Sequence, residues 1–253
     1  MDRAARISSR FTRAIDSYDE SAVAQRDICK RLFNLLEEEY IGGSILELGC
    51  GSGNLSSMLN SISDGGLTLN DLCPSYATIL AEKLPEDRYQ FIGCDAMELV
   101  KKFISNSRRF NLVASASAIQ WFENPLEFID LTAQILNPGG VLAISTFAPD
   151  NLYEITSITN RGLSYPTIDE LRESLDSNFQ IIELFEEDIT LHFNSHIELL
   201  HHLKDSGVTA TSDTPLTISE FRAFQREYKR RFCGANNTAP LTYKPIYILC
   251  KRV

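Results

Sequence analysis

One stretch constrains this chain more than any other: Ile45-Leu46-Glu47-Leu48-Gly49-Cys50-Gly51-Ser52-Gly53. Its apolar half (Ile45, Leu46, Leu48) predicts a buried parallel strand. Three glycines at alternate positions follow, and Asn54-Leu55-Ser56-Ser57-Met58-Leu59 then opens a helix. Glycine permits the tight strand-to-helix turn and leaves room for a ligand against bare backbone. The helix start behind it offers unpaired N–H groups. A nicotinamide-dinucleotide fingerprint asks for glycine where this chain has Asn54, and has no use for a carboxylate inside the strand. Glu47, two residues before the first glycine, is instead placed to attract an ammonium group.

Length and charge narrow the choices further. With 253 residues, 43% hydrophobic and 23% charged, the chain suits one large or two small globular domains. A net charge of −10 argues against broad nucleic-acid binding, and opposes an acidic partner unless a basic patch intervenes. Cys29, Cys50, Cys73, Cys94, Cys233 and Cys250 are dispersed without a C-x-x-C pair. That argues against zinc and for reduced thiols in a cytoplasmic protein. His192, His196, His201 and His202 bunch together, but no cysteine or carboxylate set accompanies them, so no metal is expected. The first residues lack the apolar core of a signal peptide, and no apolar run approaches the roughly 20 residues of a membrane helix.

Residues 7 to 40 read as helical. Phe11 and Ile15 share one face, Ile28, Leu32, Leu35 and Leu36 repeat at helical spacing, and Asp19 or Ser21 is a candidate cap. Arg10, Arg13, Tyr18 and Gln25 add a polar set that a mere cover over a sheet does not need. Beyond the glycines, strands and helices alternate, which predicts a doubly wound parallel sheet. Strand two, 66 to 71, ends in Asp71, twenty positions beyond Gly51. In nucleoside-binding sheets a carboxylate there faces the ribose hydroxyls, although a helix cap explains it as well. Strand three, 89 to 96, brings Asp95, placed to accept from an adenine amino group and to cap the next helix. Strand four, 110 to 116, is followed by Ser117-Ala118-Ile119-Gln120-Trp121, which carries the one tryptophan just past a strand's C-terminal end. Open sheets bind ligands there. A helix over 125 to 136, a turn at 137 to 140, strand five to 147, a helix over 167 to 175, strand six near 179 to 185 and a last strand from 243 to 251 follow. An extended piece at 188 to 193 and helices near 195 to 205 and 217 to 232 fill the stretch before that last strand.

The E-x-G-x-G-x-G pattern from Glu47 to Gly53 resembles motif I of class I S-adenosylmethionine (SAM) methyltransferases. Leu136-Asn137-Pro138-Gly139-Gly140 resembles that superfamily's L-x-P-G-G turn before strand five. Nearly end to end, the chain resembles the malonyl-carrier-protein O-methyltransferases of biotin synthesis. Phe11-Thr12-Arg13-Ala14, Tyr18 and Gln25 are similar to that family's F-x-R-A…Y…Q signature, and residues 115 to 121 to its S-x-x-A-[LIV]-Q-W motif. His202-Leu203-Lys204-Asp205-Ser206-Gly207 and Leu241-Thr242-Tyr243 are similar to its H-L-K-x-[ST]-G and P-L-T-Y segments. Cys73, where serine is frequent, and Val208-Thr209, where Ala-Asn is usual, depart from it. The resemblance implies a Rossmann-like class I methyltransferase fold: a seven-stranded, mostly parallel sheet with helices on both faces and a helical lid. On this reading 1 to 253 form a single domain, with N-terminal helices (1 to 40), a SAM-binding core (41 to 147), and lid insertions at 148 to 165 and about 188 to 240. It implies SAM as cofactor, held by Glu47, Gly49, Gly51, Asp71, Leu72, Asp95, Ala96 and Ser115. It further implies methylation of the free carboxylate of a malonyl thioester, carried by acyl carrier protein or coenzyme A, with no nucleic acid or membrane involved.

A carboxylate, with a pKa of about 4, needs no general base at neutral pH, so the lack of a Ser-His-Asp or Cys-His set is no obstacle. Alignment alone can supply on the order of 7 to 11 kcal/mol. The carboxylate must still shed water against donors. Tyr18, Gln120 and Lys204 are the candidate catalytic groups, with Trp121 on the substrate side. An acidic carrier meeting a −10 enzyme needs a basic face. Arg222, Arg226, Lys229 and Arg230 form one at helical spacing, opposite Phe221, Phe224 and Tyr228, which are expected to pack inward. A small-molecule O- or C-methyltransferase acting on an aconitate-like acid or a quinone precursor would share the cofactor site. So would a non-catalytic, methyltransferase-like assembly factor.

Overall fold

The glycine-terminated strand lies at the centre of the sheet. In this computed structural model the described residues are Thr12, 22–205, 217–234 and 237–253, with the side chains of 204 and 205 outside them. Strand β1 (Ile45–Leu48) pairs in parallel with β2 (Leu67–Asp71) and β4 (Phe110–Ala116), so that Leu48 lies beside Asn70 and Glu47 beside Ala114. Strand β3 (Tyr89–Gly93) extends the sheet past β2, and β5 (Leu136–Phe147) past β4, both parallel. Strand β9 (Pro245–Arg252) runs antiparallel to β5, and β6 (Phe179–Glu186) pairs antiparallel with β9 at the edge. The order β3-β2-β1-β4-β5-β9-β6 reverses direction of growth between β1 and β4, the switch point where ligands bind in open α/β sheets.

Two strand expectations change in detail. The last strand, read as 243 to 251, divides at Lys244. Strand β8 (Ala239–Tyr243) leaves the sheet to pair antiparallel with β7 (Ile189–Phe193), and Pro245 starts β9. The Lys244 N–H goes to Asn151 Oδ1 at 2.9 Å, and Pro245 has no N–H to continue a ladder across the bend. The turn read at 137 to 140 lies inside β5 as a register irregularity: Phe110 opposes Leu136 and Leu112 already opposes Val141, so four residues stand against one. Gly139, at φ +73°, sits in it.

Strand alternation separates two apolar layers. Ile45, Leu112, Ala114, Val141 and Ala143 face one side, against Ile28, Leu32 and Leu36 of α1 (Val23–Glu37) and Leu55 and Leu59 of α2 (Asn54–Ile62). Leu46, Leu48, Val113, Leu142 and Ile144 face the other, against α4 (Ala96–Ser105), α5 (Pro125–Ile135) and α7 (Ile168–Leu175). Fully burying one such leucine contributes about 1.5–3 kcal/mol. Helix α3 (Tyr76–Lys83) seals the α1 side through Leu80. Asp19 and Ser21 lie outside the described residues; α1 starts after Ala22, with no side-chain cap.

The late segments form a second tier on the α1 side. Leu199 and Leu203 of α8 (His196–Asp205), Phe224 and Tyr228 of α9 (Ile218–Phe232), and Leu241 and Tyr243 of β8 join the apolar layer of Ile28 and Leu32. Glu154 of α6 (Tyr153–Thr159), almost fully buried, accepts from Thr242 N at 3.1 Å and Thr242 Oγ1 at 2.7 Å. Phe221, expected to pack with Phe224 and Tyr228, does not: at 39% exposure it lies on the flank of α9 open to solvent. No helix among the described residues is long and apolar enough to cross a membrane.

Candidate active site

A cavity of about 430 Å³ opens at the C-terminal ends of β1, β2, β3 and β4. The three glycines that create it have three different tasks. Gly49 (φ +73°) turns the chain where a Cβ would come within 2.3 Å of the Ala118 Cβ, so it serves packing between the first loop and the loop after β4. Gly51 (φ +51°) faces empty space, with nothing within 4 Å of a would-be Cβ, so here bare backbone borders the cavity. Gly53 caps α2 in the left-handed conformation.

Asp71 organises the loop. Its Oδ2 accepts from Gly51 N at 2.9 Å and its Oδ1 from Cys73 N at 2.8 Å, so the carboxylate joins the glycine turn to the end of β2. The Cys73 thiol also hydrogen-bonds the Asp71 carboxylate beside the backbone N–H, so the cysteine there removes no donor. Burial raises the Asp71 pKa, and these N–H donors oppose the rise. Lys83 Nζ clamps the loop from α3 by donating to Ser52 O at 2.8 Å. Asp95 accepts from Glu98 N at 3.1 Å and caps α4, which keeps it on the cavity wall.

Glu47 shares the Ile45 face of β1 and is 1% exposed. Its Oε2 accepts from Ser56 Oγ at 2.6 Å. Burial lifts its pKa to about 8 against that hydrogen bond, and Asp71 raises it further. Glu47 in turn adds to the burial that pushes the Cys29 thiol up to about 12. Burial, together with Glu47 and Asp71, also holds the Cys50 thiol well above its ordinary range. Glu47, Asp71, Asp95, Glu98 and Glu123 line the cavity against Lys101, which itself lies 3.6 Å from Glu127. This is a site that gains from receiving positive charge.

Of the residues read from sequence, Glu47, Gly49, Gly51, Asp71, Leu72, Asp95, Ala96 and Trp121 meet around this one cavity. Ser115 does not. It is fully buried and donates Oγ to Leu48 O at 2.8 Å, tying the end of β4 to β1. Gln120 also stands off the cavity wall: its Nε2 donates to Ser117 O at 2.6 Å, so it shapes the loop that presents Trp121. Tyr18 lies outside the described residues, and Lys204 is placed in α8 by its backbone alone. Arg222, Arg226 and Lys229 are exposed on α9, away from the cavity, whereas Arg230 is gripped by Glu227 at 2.9 and 2.6 Å. His202 is occupied with Tyr243 OH at 2.9 Å, and no metal-ligating cluster exists among the described residues.

The sequence reading missed wall residues contributed as neighbours of motif positions: Asn54, Tyr76, Met97, Glu98, Lys101 and Glu123. Gln25 and Cys29 of α1 also line the cavity. Gln25 was signalled twice, in the polar set of the N-terminal helices and in the F-x-R-A…Y…Q resemblance, without being placed at the site.

A methyltransferase-domain family model matches residues 21–188. The malonyl-[acyl-carrier protein] O-methyltransferase of Porphyromonas gingivalis is 37% identical over 97% of this chain and 94% of its own length. That of Haemophilus influenzae gives the same identity and coverage. The chain belongs to this methyltransferase family. It spans half the length of a longer Bacteroides fragilis relative of the same name, also at 37% identity. The N-methyltransferase NodS of Bradyrhizobium japonicum, solved in complex with S-adenosyl-L-homocysteine, superposes with TM-score 0.54 at 13% identity, over 90% of this chain and 86% of that one. A SAM-dependent methyltransferase of Archaeoglobus fulgidus gives 0.54 at 14%, over 90% and 94%. Such distant likenesses establish the shared fold.

Proposed function

We propose that this methyltransferase transfers a methyl group from SAM to the free carboxylate of a malonyl thioester on acyl carrier protein, yielding the methyl ester. The observation that carries this reading is near-full-length 37% identity to relatives of that name, joined to a cavity that attracts cations and, among the described residues, contains no nucleophile-activating dyad. The residues present fit SAM: a bare-backbone cradle at Gly51, a fixed carboxylate at Asp71, and a buried carboxyl at Glu47 that has a hydroxyl donor but no cation beside it among the described residues. In this reading Asp71 holds the ribose hydroxyls, Asp95 the adenine amino group, and Glu47 draws the ammonium. When bound, SAM supplies a sulfonium-activated methyl carbon open to direct displacement.

The chain's own residues then have limited chemistry to do. The acceptor carboxylate is already ionised at neutral pH. The protein holds it in line, keeps water out and supplies donors to replace the water it loses. Tyr18 and Lys204 are proposed donors, and segments 148 to 165 and 188 to 240 a lid that closes over the reactants. Exposed Arg222, Arg226 and Lys229 form no ion pair among the described residues, which suits them to an acidic carrier protein; Arg230, bound to Glu227, contributes less. The test is kcat/KM on malonyl-carrier protein, malonyl-coenzyme A and a free dicarboxylic acid. The expected order is carrier, then coenzyme A, then free acid. Equal activity on the free acid would favour a small-molecule methyltransferase instead.

A further inference from the structure

Among the polar side chains of the cavity wall, Gln25 is an amide that the fold leaves unused at both ends. Gln25 is buried at 7% exposure and lines the cavity from α1. Its Oε1 is sealed from solvent without a hydrogen-bond partner, and its side chain makes no hydrogen bond among the described residues. The amide's other end, Nε2, is not sealed, and the open space beside this residue is the cavity. Oε1 stays unpaired against the protein, whereas the Nε2–H groups, unbonded and not sealed, are the part of this amide free to donate to an acceptor that arrives from outside.

Topology says which reactant it meets. The C-terminal end of α1 lies at the base of the sheet, where Glu39 pairs with Lys251, and Lys251 stands beside Val141 at the start of the inner run of β5. The first turn of α1 is therefore at the opposite rim, above the strand ends. Cys29, one turn further down the same face, feels the charge of Glu47, so Gln25 stands above the Glu47 end of the cavity, toward the opening. Five carboxylates line the cavity, so an anionic acceptor entering it needs an N–H donor at the rim.

Building on the proposed carboxyl transfer, we infer that Gln25 binds the acceptor: its Nε2–H donates to the reacting carboxylate and fixes it on the rim of the cavity. A neutral donor suits this task, because it replaces lost water without pairing off the nucleophile as a cation would.

The test compares Gln25→Met and Gln25→Glu with the parent enzyme, reading SAM affinity by calorimetry, KM for malonyl-carrier protein, and melting temperature. Gln25→Met should raise KM about 10- to 100-fold, leave SAM affinity within about twofold, and melt no lower than the parent, since it removes an unpaired amide. Gln25→Glu should impair the acceptor more severely. Tighter SAM binding in Gln25→Glu with unchanged KM would overturn the inference and turn the amide toward the cofactor's ammonium. Parent-like KM in Gln25→Met, or a lowered melting temperature with equal losses on both reactants, would overturn it too. A parent enzyme that binds SAM but leaves malonyl-carrier protein unmethylated would fault the carboxyl-transfer reading itself, and is distinguished by that control.

Discussion

Two walls of one cavity follow opposite rules. On the wall made by the ends of β1, β2 and β3, the carboxylates are already employed: Asp71 takes two N–H donors, Glu47 a hydroxyl and Asp95 a helix start. Asn70 Oδ1 is the exception there, buried without a partner. On the wall made by α1 and the loop after β4, polar groups are left over. Gln25 Oε1 and Ser117 Oγ are buried without partners, and Ser117 holds a left-handed φ of +53°. A satisfied wall is pre-organised and presents a fixed shape, which suits a cofactor met in the same pose every cycle.

The comparison breaks first at Asp71. Asp71→Ala removes the acceptor for two loop N–H groups as well as the proposed ribose contact, so SAM affinity should fall about 100-fold by calorimetry. Affinity equal to the parent's would remove Asp71 from the cofactor wall. The glycines sharpen the same point by dividing folding from binding. Gly49→Ala drives a Cβ into Ala118 at a positive φ and should cost about 2–4 kcal/mol in denaturant unfolding. Gly51→Ala finds open space, so its unfolding should change by about 1–2 kcal/mol while SAM binding weakens about tenfold or more. Identical profiles for the two would contradict their separate tasks.

Glu47 gives a pH test. With its folded pKa raised from the ordinary 4.5 to about 8, its contribution to the stability of the ligand-free protein is fully present below about pH 4.5 and is lost as pH rises through 8. The parent's melting temperature should therefore fall between about pH 5 and pH 8 and level off above that, and Glu47→Gln should fall less while binding SAM about tenfold more weakly. At pH 7 SAM binding should release a proton in the parent alone, seen as a dependence of binding heat on buffer ionisation. The smallest effect is expected farthest from the cavity. Arg222→Glu with Arg226→Glu should raise KM for malonyl-carrier protein severalfold, increasingly masked by salt, and leave malonyl-coenzyme A unaffected.

The same contrast explains what the sequence made legible. The wall at the strand ends comes from one continuous stretch and two strand ends, so the meeting of Glu47, Gly51, Asp71 and Asp95 around one cavity was readable from spacing. The sheet was readable for the same reason, because apolar strands buried on both faces stand out as runs. Side chains reaching across the fold were not. Ser115 and Gln120 occupy motif positions yet spend their donors on Leu48 O and Ser117 O, a pairing that depends on β1 and β4 being neighbours. The departure of β8 from the sheet depended on Asn151 claiming the Lys244 N–H, a residue ninety-three positions away. Gln25 stood out as polar, but only the packed cavity leaves its amide without a partner.

The central claim is that the two walls together serve methylation of a malonyl carboxylate, and mass spectrometry of malonyl-carrier protein incubated with enzyme and SAM tests it most directly. The account predicts one added methyl group per carrier, located by fragmentation on the malonyl unit of the ejected pantetheine arm and absent from acetyl-carrier protein treated alike. An unchanged malonyl mass under conditions where calorimetry shows SAM bound, or a methyl group found elsewhere on the carrier, would contradict it.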